Sequence, residues 1–267
     1  MKPEHGSRCE PVAKMSTELD IIIPVYNEGE SILAALNALK QHVKTPFRVL
    51  LCYDRDDDTT LVAVRNTPPF PFVVRFVKNR GRGAHGAVVT GFEESTAPAV
   101  LVYPGDDDYN ACRVDSIVKE YRDGAEIVAA SRFMSGGCMV GCPWLKASLV
   151  RGSAFLLFRV ARVPTHDPSN GFRLFSRCVL QTIAIESTVG FTYSLELLAK
   201  CHRLGWKIRE VPVAWYERKS GTSRFRVFQW LPHYLVWFLY CFATATRLRK
   251  PASVKLKESM GEAASRG

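Results

Sequence analysis

Leu19-Asp20-Ile21-Ile22-Ile23-Pro24-Val25-Tyr26-Asn27-Glu28, followed by Ile32, Leu36 and Leu39, is the stretch from which the fold is read. A short, nearly continuous apolar run ended by a proline suits a strand buried on both faces. The apolar residues that follow recur at helical spacing, so a strand and then a helix form the first unit. The alternation continues. Residues 47–53, 72–77, 100–103 and 127–130 read as further strands, and segments of helical period lie between them. A helical stretch covers 149–160, a strand 172–175, a helix 192–203 and a last strand 208–213. This order predicts an α/β fold, a mostly parallel sheet flanked by crossover helices.

Polar motifs follow the strand ends, the edge of an open α/β sheet where loops and helix N-termini converge on ligands. Asn27 and Glu28 follow the first strand with side chains able to bond a base or ribose, and they equally suit capping of the next helix. Asp54, Asp56, Asp57 and Asp58 follow the second, and such a cluster repels itself unless a cation or hydrogen-bond donors stand close. A solvated acidic loop is the plain alternative. Asn79-Arg80-Gly81-Arg82-Gly83-Ala84-His85-Gly86 opens a helix. Its glycines let backbone N–H groups approach an anion, the helix start adds positive charge, and the arginines reach phosphate oxygens. The spacing is not that of a nucleotide P-loop.

Asp106-Asp107-Asp108, after the fourth strand, is the strongest single feature. Two carboxylates on one loop suit Mg²⁺ or Mn²⁺, with the remaining positions taken by waters and a diphosphate. An acidic turn before a helix capped near Asn110 is the bland alternative.

These motifs in this order resemble family 2 glycosyltransferases of the GT-A (Rossmann-like) fold, in particular the branch of dolichyl-phosphate mannose synthase and other polyprenyl-phosphate sugar synthases. The similarity covers residues 19–226 and includes Ser131-Arg132-Phe133, Asp167-Pro168-Ser169-Asn170-Gly171-Phe172-Arg173 and Arg218-Lys219-Ser220-Gly221-Thr222-Ser223-Arg224. It implies transfer of a sugar from a nucleotide sugar, GDP-mannose or a UDP-sugar, to a polyprenyl phosphate, with inversion. Pro24, Tyr26, Glu28 and Asp54 would line the nucleoside pocket, with Asp56, Arg82, Gly83 and Asp107 also on the donor. Asp106 and Asp108 would bind the metal, or Asp107 in place of either. Arg132, Asn170, Arg173, Arg218, Ser223 and Arg224 would meet the diphosphate or the lipid phosphate. Arg55 stands where the family usually has Gly, and Asn170 where it usually has Ser or Thr.

A lipid phosphate is already anionic near neutral pH and needs positioning and charge neutralisation rather than a base. A sugar hydroxyl acceptor would need a base, for which Asp167 is the candidate; capping its own turn is the structural alternative for that residue. A nucleotide-binding protein without transfer activity is the reading from another class.

The chain of 267 residues is 47% apolar, enough for a sizeable core. Its net charge of +10 is spread out rather than collected in Lys/Arg blocks, which points to anionic small molecules or lipid heads rather than nucleic acid. Irregularly spaced cysteines, Cys52 and Cys178 among them, read as buried thiols in a reducing compartment; Cys138 and Cys142 lack a second pair for zinc.

Residues 1–17 read as a flexible tail without the apolar core of a signal peptide, 18–215 as the catalytic domain, 216–246 as a cationic segment with an aromatic helix, and 247–267 as a basic flexible tail. The aromatic helix, 227–245, suits a membrane interface, with a true span and a protein-buried or dimer-forming helix as alternatives. The expected location is the cytoplasmic face of a membrane, peripheral or single-pass, with the oligomeric state open.

Overall fold

The computed structural model describes residues 17–217, 227–246 and 251–257. The chain runs β1 (Leu19–Val25), α1 (Ser31–His42), β2 (Phe47–Tyr53), α2 (Thr59–Arg65), β3 (Val74–Lys78), α3 (Gly83–Glu94), β4 (Ala99–Val102), α4 (Val114–Arg122) and β5 (Ile127–Ser131). It continues β6 (Cys138–Val140), α5 (Trp144–Arg159), β7 (Arg173–Ser176), α6 (Arg177–Thr182), α7 (Thr192–Leu204), β8 (Ile208–Pro212), β9 (Ala214–Tyr216) and α8 (Val227–Ala245).

Seven strands form one sheet in the order β3-β2-β1-β4-β7-β5-β8, all parallel except β7, which runs antiparallel to both its neighbours. The alternation of side chains along β1 explains why it is apolar throughout. Ile21 and Ile23 enter one core with Ile32, Leu36 and Leu39 of α1 and Ile117 of α4, while Ile22 enters the other with Val88 and Phe92 of α3 and Leu198 of α7. Each fully buried side chain of this kind contributes about 1.5–3 kcal/mol.

At the amino edge, the buried Asp20 carboxylate accepts from Arg48 Nε (2.5 Å) and Nη2 (3.0 Å), Ser95 Oγ (2.7 Å), Thr96 N (2.8 Å) and Ala97 N (2.9 Å). It thereby ties β1 and β2 to the turn before β4.

Three departures from the sequence reading concern this frame. The helix expected over 149–160 begins earlier, at Trp144. Residues 135–141, for which no element was expected, contain β6, which pairs with β9 in a small parallel ribbon. Residues 251–257, expected within a flexible tail, dock on the α6–α7 connection: Ala184 N donates to Lys255 O (3.1 Å), Lys257 N to Thr182 O (2.9 Å), and Val254 is buried.

α8 turns Trp237 and Cys241 inward against α7. The Arg203 guanidinium lies 3.2 Å from the Tyr240 ring centroid, and Lys200, held by Glu186 and Glu196 at 2.6 Å each, sits 5.1 Å above Trp237. Among the described residues no helix is long and apolar enough to cross a membrane, so the spanning alternative for α8 is not met. The thiols of Cys52, Cys201 and Cys241 are buried, whereas Cys178 is only half-buried.

Candidate active site

The carboxyl ends of β1 and β2 are cross-braced. Asn27 adopts the left-handed region (φ +52°); its N–H donates to Asp58 Oδ2 (3.0 Å) and its Oδ1 accepts from Thr59 N (3.2 Å). Asp58 Oδ1 accepts from Thr60 N (2.8 Å), capping α2, and Glu28 N donates to Thr60 Oγ1 (3.0 Å). Pro24 remains inside β1, paired in register with Cys52, and Tyr26 beyond it is exposed.

The acidic cluster after β2 escapes mutual repulsion because each carboxylate has its own partner. Asp54 accepts from Asn79 Nδ2 (2.5 Å) and Gly83 N (2.9 Å). Asp56 pairs with Lys78, and Asp57 with Arg55 at 2.6 Å. Hydrogen bonds from Lys78 and Arg55 hold these two carboxyls below the usual range. Asp56, expected on the donor, is therefore committed to a surface ion pair, and Arg55 folds onto its own loop.

Asn79 organises the Gly-rich turn. Its Oδ1 accepts from Gly81 N (2.8 Å), and its Nδ2 ties the turn to Asp54. Gly83, at φ +64°, starts α3 in a conformation that costs a residue with a Cβ about 1 kcal/mol. A Cβ on Gly86 would stand 2.9 Å from Gly81 Cα and 2.8 Å from Asn79 Oδ1. Arg80 is drawn along α3 to Glu93 and Glu94, which leaves exposed Arg82 at the helix start, where backbone N–H groups favour an anion.

The triple aspartate alternates. Asp106 and Asp108 are exposed, while Asp107 is buried, accepting from Tyr109 N (3.2 Å), Asn110 N (2.8 Å) and Asn110 Nδ2 (2.6 Å). Burial pushes its carboxyl up to about 6 against the opposing pull of these bonds. Asp107 thus shapes the loop from within, correcting the expectation that it touches donor or metal. Asn110, which the sequence offered only as a cap, also pairs with β9: Ala214 N donates to its Oδ1 (2.9 Å) and its Nδ2 donates to Ala214 O (2.8 Å). The hard oxygens of Asp106 and Asp108 suit Mg²⁺ or Mn²⁺. Among the described residues no group of three His, Cys, Asp or Glu side chains could hold a metal, so an ion here would draw its other ligands from diphosphate and water.

Beyond β5, Arg132 meets the turn that leads into β7. Its Nε and Nη2 bond Asp167 at 2.6 and 2.9 Å, its main-chain N–H reaches the same carboxylate at 3.0 Å, and Nη2 also donates to Ser169 Oγ (2.9 Å). Asp167 is fully buried. Asn170 donates to Ala130 O (2.8 Å) and accepts from Phe172 N (3.1 Å), so its amide joins β5 to the turn instead of facing a phosphate.

Arg173 is also corrected. It is wholly enclosed, with Nη1 donating to Ser194 O (2.6 Å) and Oγ (2.9 Å) and Nη2 to Pro168 O (3.2 Å). Burial pulls its guanidinium down to about 10. Arg218, Ser223 and Arg224 lie outside the described residues.

The fold is shared with glucosyl-3-phosphoglycerate synthase from Mycobacterium tuberculosis. In a complex of that protein with UDP the TM-score is 0.61 at 16% identity, over 84% of this chain and 80% of that one. Another of its structures, holding Mn²⁺, UDP-glucose and phosphoglyceric acid, superposes equally well at TM-score 0.61, with 16% identity and the same coverage, 84% and 80%.

The chain belongs to Glycosyl transferase family 2, whose profile matches residues 20–184. Among curated relatives, a dolichol-phosphate mannosyltransferase from Pyrococcus furiosus is 24% identical over 81% of this chain, which spans 62% of that longer protein. A polyprenol monophosphomannose synthase from Mycolicibacterium smegmatis is 26% identical over 83% of this chain and 86% of its own length.

Proposed function

We propose that this glycosyltransferase moves a sugar from a nucleotide sugar to a polyprenyl phosphate at the cytoplasmic face of a membrane. The observation that carries the choice of acceptor is the enclosure of Asp167. Its carboxylate is bound by the Arg132 fork and the Arg132 N–H, and side-chain exposure is 13% for Arg132 and none for Asp167. A carboxylate so engaged is poorly placed to take a proton from a sugar hydroxyl. A phosphate acceptor needs no base, and the names of the curated relatives point the same way.

In this reading Tyr26, Glu28 and Asp54 line the nucleoside side, while Arg82 and the start of α3 face the phosphates. Asp106 and Asp108 would hold Mg²⁺ or Mn²⁺, which would supply neutralisation of the charge that develops on the departing diphosphate. Asp107 and Asn110 keep that loop in shape. Arg132, set by Asp167, is the described residue assigned to the acceptor phosphate, and Arg218, Ser223 and Arg224 are the candidates that the sequence adds to it. An acceptor phosphate oxygen forms the new bond to the anomeric carbon as the bond from that carbon to the nucleoside diphosphate breaks, inverting the centre. α8 lies on the lipid surface. GDP-mannose and UDP-sugars are the donors to try first.

The test uses purified protein, Mg²⁺ or Mn²⁺, labelled nucleotide sugars and polyprenyl phosphate, with label followed into the organic phase. Transfer that needs the ion and vanishes in Asp106→Ala supports the reading. Donor binding with no lipid product under any donor sinks it.

A further inference from the structure

α5 presents an apolar surface that the fold leaves uncovered. Ala154 and Leu157 face inward, but Trp144, Leu145, Leu149, Phe155, Leu156 and Val160 are exposed, Trp144 to 78% and Phe155 to 62%. At 100° per residue these six fall within one half of the helix circumference, together with Arg151 and Arg159. A continuous exposed apolar face marks an interaction site in a soluble domain.

Its charge identifies the partner. The ionisable residues of α5 are Lys146, Arg151 and Arg159, with no carboxylate among its residues, and α8, which it touches, has no Asp, Glu, Lys or Arg. α8 adds exposed Leu231, Leu235, Val236 and Leu239. An apolar helix face bearing only cations is complementary to anionic lipid headgroups over an acyl layer.

α5 also lies against the catalytic side. Lys146 sits 5.6 Å from the Trp215 ring of β9, and Arg151 and Arg132 lie 5.9 and 5.1 Å from the Phe133 ring, all measured to ring centroids. Phe158 stacks on His166, the neighbour of Asp167, with centroids 3.9 Å apart.

We infer that the outward face of α5 is a docking surface for an anionic membrane, seating the Arg132–Asp167 end of the site at the lipid headgroups. In the proposed function only α8 meets the membrane; docking through α5 rests on that function only for the value of reaching a lipid-borne acceptor, since vesicle binding is measured without any acceptor.

The experiment is co-sedimentation of the full chain with phosphatidylcholine vesicles and with equimolar phosphatidylcholine–phosphatidylglycerol vesicles. Three proteins are compared: wild type, the double variant Leu149→Glu/Phe155→Glu, and Val73→Glu. Val73 is equally exposed, but it adjoins β3 at the opposite edge of the sheet from β8. Both altered α5 positions are exposed, so folding is retained and is checked by thermal unfolding.

The expected result is preferential binding to the mixed vesicles, weakened about tenfold or more in the double variant and unchanged in Val73→Glu. Equal binding by wild type and double variant overturns the inference, as does wild type that binds neither vesicle. A wild-type dimer that the double variant converts to monomer, seen by light scattering, overturns it in favour of self-association. Transfer to detergent-dispersed polyprenyl phosphate is scored separately: its absence defeats the acceptor reading while vesicle binding through α5 stands.

Discussion

Arg132 grips the Asp167 carboxylate with Nε at 2.6 Å and Nη2 at 2.9 Å, so the loop after β5 and the turn before β7 act as one unit. Asp167→Asn removes the charge that orients Arg132 in a buried setting. We expect a loss of about 3 kcal/mol or more in stability, because one member of a buried pair is left uncompensated. Transfer to a lipid phosphate should fall by about a hundredfold through misplacement of Arg132 and not vanish. Thermal unfolding and kcat/KM measured side by side check this; complete loss of turnover in a folded Asp167→Asn protein would restore Asp167 as the base.

The alternation within 106–108 separates two kinds of aspartate. Asp106→Ala and Asp108→Ala should cost about a thousandfold or more in transfer while shifting stability by only about 0.5 kcal/mol, since both side chains are exposed. Asp107→Ala strips three bonds from the interior of the loop and should destabilise by about 1–3 kcal/mol. Chemical denaturation and the metal dependence of turnover distinguish the two classes.

Asn110→Ala breaks the paired bonds that join the acidic loop to Ala214 of β9. The expected outcome is a raised metal requirement for transfer, about tenfold, from a loop that has lost one of its supports. Titration of Mn²⁺ against rate in Asn110→Ala and wild type reads it directly.

Gly86→Ala places a methyl group 2.8 Å from Asn79 Oδ1 and 2.9 Å from the Gly81 Cα, and the backbone cannot swing aside as a side chain can. The turn from Asn79 to Gly83 must shift, moving the backbone N–H groups at the start of α3. Binding of UDP or GDP, followed by calorimetry, should weaken by about tenfold or more.

Asp20 sets an acid limit on stability. Burial alone would raise its pKa, but the bonds from Arg48, Ala97, Ser95 and Thr96 outweigh burial and lower it below the ordinary aspartate value. A carboxyl with a depressed folded pKa contributes stability above its unfolded pKa and loses it as pH falls through the folded one. Asp20→Asn should therefore flatten the decline in stability on the acid side of the ordinary aspartate range and lower stability at neutral pH. Thermal unfolding at a series of pH values checks both.

Much of this frame was legible from local pattern. The apolar run 19–25 required a strand with both faces covered, because its odd and even residues feed opposite cores, and the strand-end motifs marked one edge of the sheet. The turn at 79–83 was legible as a glycine-shaped helix start because glycine at positive φ and a helix start are local properties. The direction of β7 was not legible: an antiparallel strand buried between parallel neighbours has the same run of apolar residues either way.

The chain's own order of residue types determined the α/β class, the edge of the sheet that carries the polar strand-end motifs, and the presence of a run of aspartates beyond β4. Only tertiary structure decided which of them face outward. Asp106 and Asp108 remain in solvent while Asp107 turns in, and Arg173 and Asn170 spend their donors on main-chain carbonyls. The physical reason is that a polar side chain turns inward only where hydrogen-bond partners offset its desolvation. Its partners, Ser194 for Arg173 and Ala130 for Asn170, stand 21 and 40 residues away along the chain and become neighbours only when the sheet has formed.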